Sequence, residues 1–94
     1  MTNPQPPQST NIRKLGELNA GAVARIRSVG GSGQGDGLTS RLLELGFLEG
    51  ARVEVLHEAP FSRDPIAIRV RGGVIALRRN EANLVEVQLE AVHE

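Results

Sequence analysis

The chain is 94 residues long, enough for one small domain, and only 39% of it is apolar. Eleven basic and eleven acidic side chains cancel, which removes any global field for drawing in nucleic acid or an anionic membrane. Cysteine is absent, so disulfides, thiolate metal ligands and cysteine nucleophiles are all excluded.

With two Phe and no Trp or Tyr, the core has to be built from Val, Ile and Leu. A domain of this size buries roughly 60% of its unfolded-chain surface, so a stability on the order of several kcal/mol is expected. No apolar run approaches the ~20 residues of a membrane span. Residues 1–11 also lack the charged start and apolar block of a signal peptide. These features predict a cytoplasmic protein with no direct membrane insertion.

In chain order, residues 1–12 hold three of the five prolines and read as a disordered tail, with the domain at 13–90 and a short tail at 91–94. Pro4-Gln5-Pro6-Pro7 has the spacing of a polyproline ligand, and an inert tail is the simpler reading. Order is expected from Ile12 onward. Residues 22–29 form a first strand, with Ala22, Ala24 and Ile26 on one face and Arg25 and Arg27 on the other.

The glycine-rich run at 30–37 joins this strand to a helix, where phosphate loops occur. No lysine follows at Walker spacing, and counting for a dinucleotide fingerprint puts Asp36, Leu38 or Ser40 where the third glycine belongs. A surface loop with Asp36 or Thr39 near the helix cap is the better reading.

Across 38–45, Leu38, Leu42 and Leu45 follow the 0, 4, 7 spacing of one helical face, and Gly46 suits the helix C-terminus. Leu43 lies off that stripe, and Phe47 and Leu48 follow it. The segment holds more large apolar residues than a one-sided helix needs, which points to a contact surface. Alternatively, Phe47 and Leu48 plug the end of the fold.

The second half reads as strands. At 52–57, Val53 and Val55 alternate with Arg52 and Glu54. At 65–71, Ile66, Ile68 and Val70 alternate with Ala67, Arg69 and Arg71. Gly72-Gly73 then turns the chain into 74–79, residues 80–83 form one helical turn, and 84–89 close the sheet. The pattern predicts a mainly β fold, a small partly closed β-barrel. Arg69, Arg71 and Arg78 would share an outward basic strip, or a solvated face balanced by Glu54 and Glu86.

Little here suggests chemistry. His57 and His93 are far apart in the chain, and no close carboxylate pair or nucleophile–base arrangement can be named. Only Asp64 or Glu58 in a loop could serve an enzyme. The expectation is therefore no catalysis, no metal site and no cofactor.

Three segments together resemble the FeoA family, the small cytosolic component of bacterial ferrous iron uptake. They are Arg41-Leu-Leu-Glu-Leu-Gly-Phe-Leu-Glu-Gly50, the stretch from Val53 through Ala59-Pro60 to Asp64-Pro65 and Gly72, and Ala76-Leu-Arg-Arg79. The likeness covers about residues 14–90. It implies an SH3-like barrel of about five strands, with a helix inserted after the first strand and a helical turn before the last. It also implies a partner, the FeoB membrane GTPase permease, assisted without carrying iron. Glu49 stands where the family often has Pro, and Gly73 where a larger residue is common.

On this reading the permease contact uses Leu42, Leu43, Phe47 and Leu48 for affinity, with Arg69 and Arg71 setting orientation. Self-association is left open. A second reading is a nucleic-acid-binding β-barrel using Arg25, Arg27, Arg69 and Arg71. Zero net charge and the shortage of aromatic stacking platforms weigh against it. A third is a regulatory module like the SH3-like C-terminal domain of DtxR-type metal repressors.

Overall fold

The computed structural model describes residues 11–30 and 36–90. The expectations for the proline-bearing segment at 1–10, the middle of the glycine-rich run at 31–35, and His93 in 91–94 fall outside those residues.

Six strands form one antiparallel sheet: β1 (Ile12–Lys14), β2 (Val23–Val29), β3 (Arg52–Glu58), β4 (Ile66–Val70), β5 (Gly73–Leu77) and β6 (Val85–Leu89). Helix α1 (Asp36–Leu45) follows β2, a 3-10 turn spans Leu15–Glu17, and α2 (Arg79–Ala82) precedes β6. Strand order is β1-β6-β2-β3-β4-β5, so the sheet has two ends and the barrel is partial. The mainly β class is as expected, but the helix follows the second strand. Strand β1 escapes sequence reading because three residues with Arg13 and Lys14 show no apolar alternation. Its pairing with β6, Ile12 to Gln88 and Lys14 to Glu86, is set by contacts more than seventy residues away in sequence.

Curvature comes from two register irregularities. One lies between Ile26 and Ser28 where β2 meets β6, the other between Val55 and His57 where β3 meets β4. An extra residue on one strand bends it and increases its twist. The strands thereby wrap around one aliphatic core in which Ile26, Val53, Val55, Ile66, Ile68, Val85 and Val87 are buried with Phe47.

The β4–β5 hairpin turns one residue earlier than the glycine pair suggests. Val70 pairs with Gly73, so the two loop residues are Arg71 and Gly72, with φ of 50° and 85°. Positive φ at both central positions defines a type I′ turn, whose twist matches that of the flanking strands. Gly72 adopts it freely, whereas Arg71 takes a left-handed conformation that non-glycine residues rarely occupy. Arg71 is therefore a turn residue, and Arg78 falls between β5 and α2. The expected strip of Arg69, Arg71 and Arg78 on one strand face does not form.

One end of the molecule is tied by Arg79. Its Nη1 donates to the carbonyls of Gly16 (3.0 Å) and Leu18 (2.8 Å), and its Nε donates to that of Arg63 (2.8 Å). Its Nη2 is buried 3.7 Å from Glu58 Oε2. The Arg79 amide donates to Asp64 Oδ1 (2.9 Å), and Glu58 Oε2 accepts from the Ala20 amide (2.7 Å). The planar fork of guanidinium suits it to join several acceptors at once. The 3-10 turn, the β3–β4 loop and α2 are thus fastened together. Gly16 is required there, because any Cβ would overlap the Arg79 carbonyl and the Asn83 side chain.

Candidate docking surface

Helix α1 ends in a built C-cap. Gly46, with φ of 108°, donates to Leu43 O (3.1 Å), and the Phe47 amide reaches back to Leu42 O (3.0 Å). These two bonds are those of a Schellman motif, in which the residue after the glycine packs on the one four positions before it. Those residues are Phe47 and Leu42, both fully buried. This corrects the sequence reading, which placed Leu42 and Phe47 in the contact surface. They belong to the core, and of the two residues read alternatively as an end plug, Phe47 is buried and Leu48 exposed.

The remaining leucines stay outside. Leu43 is 41% exposed, Leu45 38% and Leu48 41%, which makes them the exposed large apolar residues of the helix and its exit. Leu45 shares its helical stripe with buried Leu42, yet it is the last helical residue and overhangs a cleft between α1 and β5. Leu43 and Leu48 are exposed as expected.

Arg71 is brought to this exit from the hairpin. A Cβ on Gly46 would lie 2.8 Å from Arg71 Cδ, so the arginine stem lies directly across the helix C-cap. A cation near the last carbonyls of a helix is favourable, and α1 has no basic residue in its own last turn. Arg69, on the outer face of β4, sits opposite Glu54 at 3.9 Å with its side chain half exposed. An exposed pair of that length contributes little to stability.

The other sheet arginines are also matched. Arg25 and Arg52 approach Glu90 (3.2 and 3.7 Å), and Arg27 approaches Glu86 (3.6 Å). The outer face of the sheet is largely self-neutralised, which weakens the reading of Arg25, Arg27 and Arg69 as phosphate contacts. By contrast, Arg41, Arg71 and Arg78 have no carboxylate partner among the described residues.

Two exposed apolar residues were missed by sequence reasoning. Phe61 is 99% exposed at the tip of the β3–β4 loop, and Val74 is 57% exposed on β5. Alternation does mark Val74 as outward-facing. Phe61 has no such signal, since it stands between Pro60 and Pro65 in a segment without periodicity. The loop beneath it is held by Arg63 N to Ala59 O (2.9 Å), Ser62 Oγ to Asp64 O (2.9 Å) and Ala59 N to Pro65 O (3.1 Å).

His57 is exposed on β3. Among the described residues, no group of three or more His, Cys, Asp or Glu could hold a metal ion, and no helix is long and apolar enough to cross a membrane.

A curved antiparallel sheet with a short helix inserted between strands, a solid aliphatic core and its distinguishing features on the surface defines a small SH3-like β domain. Residues 13–89 match the FeoA domain, and the chain belongs to that family. It is 38% identical over 76 residues to the Fe(2+) transport protein A/Fe(2+) transporter FeoB fusion protein of Porphyromonas gingivalis (strain ATCC BAA-308 / W83). That match covers 81% of this chain and 8% of the fusion protein, so the chain spans less than a tenth of its relative's length. The solution structure of FeoA from Chlorobium tepidum is 38% identical, with a TM-score of 0.74 over 87% of this chain and 74% of that one. FeoA of Stenotrophomonas maltophilia, solved with zinc and described as a procaryotic SH3 domain protein, is 34% identical. Its TM-score is 0.70 over 79% of this chain and 87% of that one. The family is linked to ferrous iron transport through the fused relative.

Proposed function

We propose that this chain is a docking subunit of ferrous iron uptake that binds the cytoplasmic portion of a FeoB-type transporter and performs no chemistry itself. The observation that carries the proposal is the fused relative, in which a FeoA segment and a FeoB transporter form one polypeptide. Covalent linkage makes sense where two parts work at high effective concentration. Docking also needs a surface, and the exit of α1 supplies a suitable one.

Leu43, Leu45 and Leu48 provide apolar area, while Arg41 and Arg71 border it with charge that meets no carboxylate among the described residues. The Schellman turn and the underlying Leu42–Phe47 contact hold these side chains in place, which lowers the ordering cost of binding. Arg69 lies two residues from Arg71 along the chain and serves orientation only. On this account the domain acts in the cytoplasm and reaches the membrane through its partner.

Capture of the transporter's cytoplasmic portion by wild-type chain and by Leu43→Asp tests the proposal. The variant is expected to lose at least tenfold in affinity with an unchanged melting temperature. Equal capture would remove this surface as the site.

A further inference from the structure

The two edges of the sheet are built differently. Strand β1 is only three residues long and carries Arg13 and Lys14, the short and charged form that discourages further pairing. Strand β5 has none of these protections: Gly73-Val-Ile-Ala-Leu77 contains no charge and no proline, and its pairing with β4 is regular throughout.

The hairpin register shows which groups face outward. In a two-residue hairpin the residues flanking the loop, Val70 and Gly73, exchange both main-chain bonds, and every second pair after them does the same. Ile75 and Leu77 therefore bond to β4, while the amides and carbonyls of Val74 and Ala76 point away from it. No hydrogen bond among the described residues uses those four groups.

Charge frames this open edge. Arg71 stands at its turn end, Arg78 just past its other end, and Arg41 across the cleft on α1. Among the described residues none of the three has a carboxylate partner, whereas Arg25, Arg27, Arg52, Arg63, Arg69 and Arg79 all do. Glu81, the acidic residue beside the cleft, already accepts the Arg78 amide at 2.9 Å. The cleft has a volume of about 80 Å³ between Leu38, Leu45, Ile75 and Leu77, a space suited to one aliphatic side chain.

We propose that the free edge of β5 receives an extended acidic segment of a partner protein as an added strand. Val74 and Ala76 supply its main-chain bonds, and Arg41, Arg71 and Arg78 meet its carboxylates. At roughly 3.3 Å per residue, five strand residues span about 17 Å, so the fitting segment has five to seven residues with acidic side chains toward its ends. Strand addition takes affinity from the main chain and selectivity from alternate side chains. The inference rests on reading the chain as a docking subunit and specifies the form its partner takes at β5.

The test titrates the full-length 15N-labelled chain with a capped nine-residue peptide alternating glutamate and valine, and with its lysine–valine counterpart. The acidic peptide is expected to slow hydrogen exchange at the Val74 and Ala76 amides at least tenfold and to bind at least tenfold tighter than the lysine peptide. Val74→Pro removes an N–H that faces away from β4, so the hairpin should persist while binding is lost. Arg71→Glu combined with Arg78→Glu should weaken binding at least tenfold.

Equal affinity for the two peptides, protection elsewhere on the sheet, or no binding of either at millimolar concentration would overturn the proposal. So would wild-type affinity in the Val74→Pro chain, or protection of Val74 by self-association without peptide. Transporter capture with Leu43→Asp reads the helix surface instead, so the docking reading and this one can fail separately.

Discussion

Arg78 and Arg79 are adjacent in the chain and face opposite ways, one exposed and one turned into the fold. Arg79 turns inward, where it meets three carbonyls and Glu58 and ties the 3-10 turn, the β3–β4 loop and α2 together. Arg78 stays outside with no carboxylate partner among the described residues, as do Arg71 and Arg41 around the exit of α1 and the edge of β5. Around Arg79 the guanidinium Nε and Nη1 are bonded to main-chain carbonyls, its buried Nη2 lies 3.7 Å from Glu58 without a hydrogen bond, and the apolar side chains beside it, Leu15 and Leu18, are buried. At the α1–β5 end leucines, arginines and main-chain groups are left open. The same residue type is a structural rivet at position 79 and, on the docking proposal, a recognition element at position 78, and what separates the two is whether the fold supplies acceptors.

If that contrast holds, substitutions should divide by whether the side chain turns into the fold or stays outside, and not by residue type. The largest effect belongs to the pair of neighbouring leucines. Leu42→Ala should cost about 3–4 kcal/mol in chemical denaturation, since it opens a cavity beneath Phe47. Leu43→Ala should stay within about 0.5 kcal/mol. Next comes the rivet: Arg79→Ala should cost about 2–3 kcal/mol, because three carbonyls lose their donor and Glu58 loses one of its two arginines in a partly buried site. Arg79→Lys should recover little, as one ammonium cannot reproduce the fork. Arg78→Ala should leave the melting temperature unchanged, and equal effects at 78 and 79 would break the contrast.

Gly46→Ala should cost about 1–2 kcal/mol, from the left-handed backbone and the collision with the Arg71 stem. The smallest expected effect is at Phe61, where Phe61→Ser should leave thermal stability unchanged because the ring touches little of the fold.

Much of this architecture is visible in the order of residues. Alternation at Val53 and Val55, at Ile66, Ile68 and Val70, and at Val85 and Val87 marks strand faces correctly, and Gly46 announces the end of α1. These are local signals, because one face of each strand must be apolar to be buried. What stayed hidden depends on distant partners. Strand β1 exists because β6 accepts it, and the role of Arg79 needs carbonyls at Gly16, Leu18 and Arg63. The hairpin slipped by one residue because Gly72-Gly73 is a stronger turn signal than Arg71-Gly72, and only the register with β4 shows which is used.

The surface was half legible for a related reason. The leucines around Gly46 exceed what a one-sided helix buries, and Leu43, Leu45 and Leu48 are the ones left exposed. Spacing alone, however, could not separate Leu42 and Phe47, joined under the Schellman turn, from Leu43 and Leu48 above it. Pairing across the cap decides which two go inside.

The claim that the α1 exit is a docking surface is tested most directly by titration calorimetry against the cytoplasmic portion of a FeoB-type transporter. Wild-type chain, Leu43→Asp with Arg71→Glu, and Phe61→Ser would be compared at matched thermal stability. The double variant should bind at least tenfold more weakly, while Phe61→Ser should bind like wild type. Undiminished binding by the double variant would contradict the account.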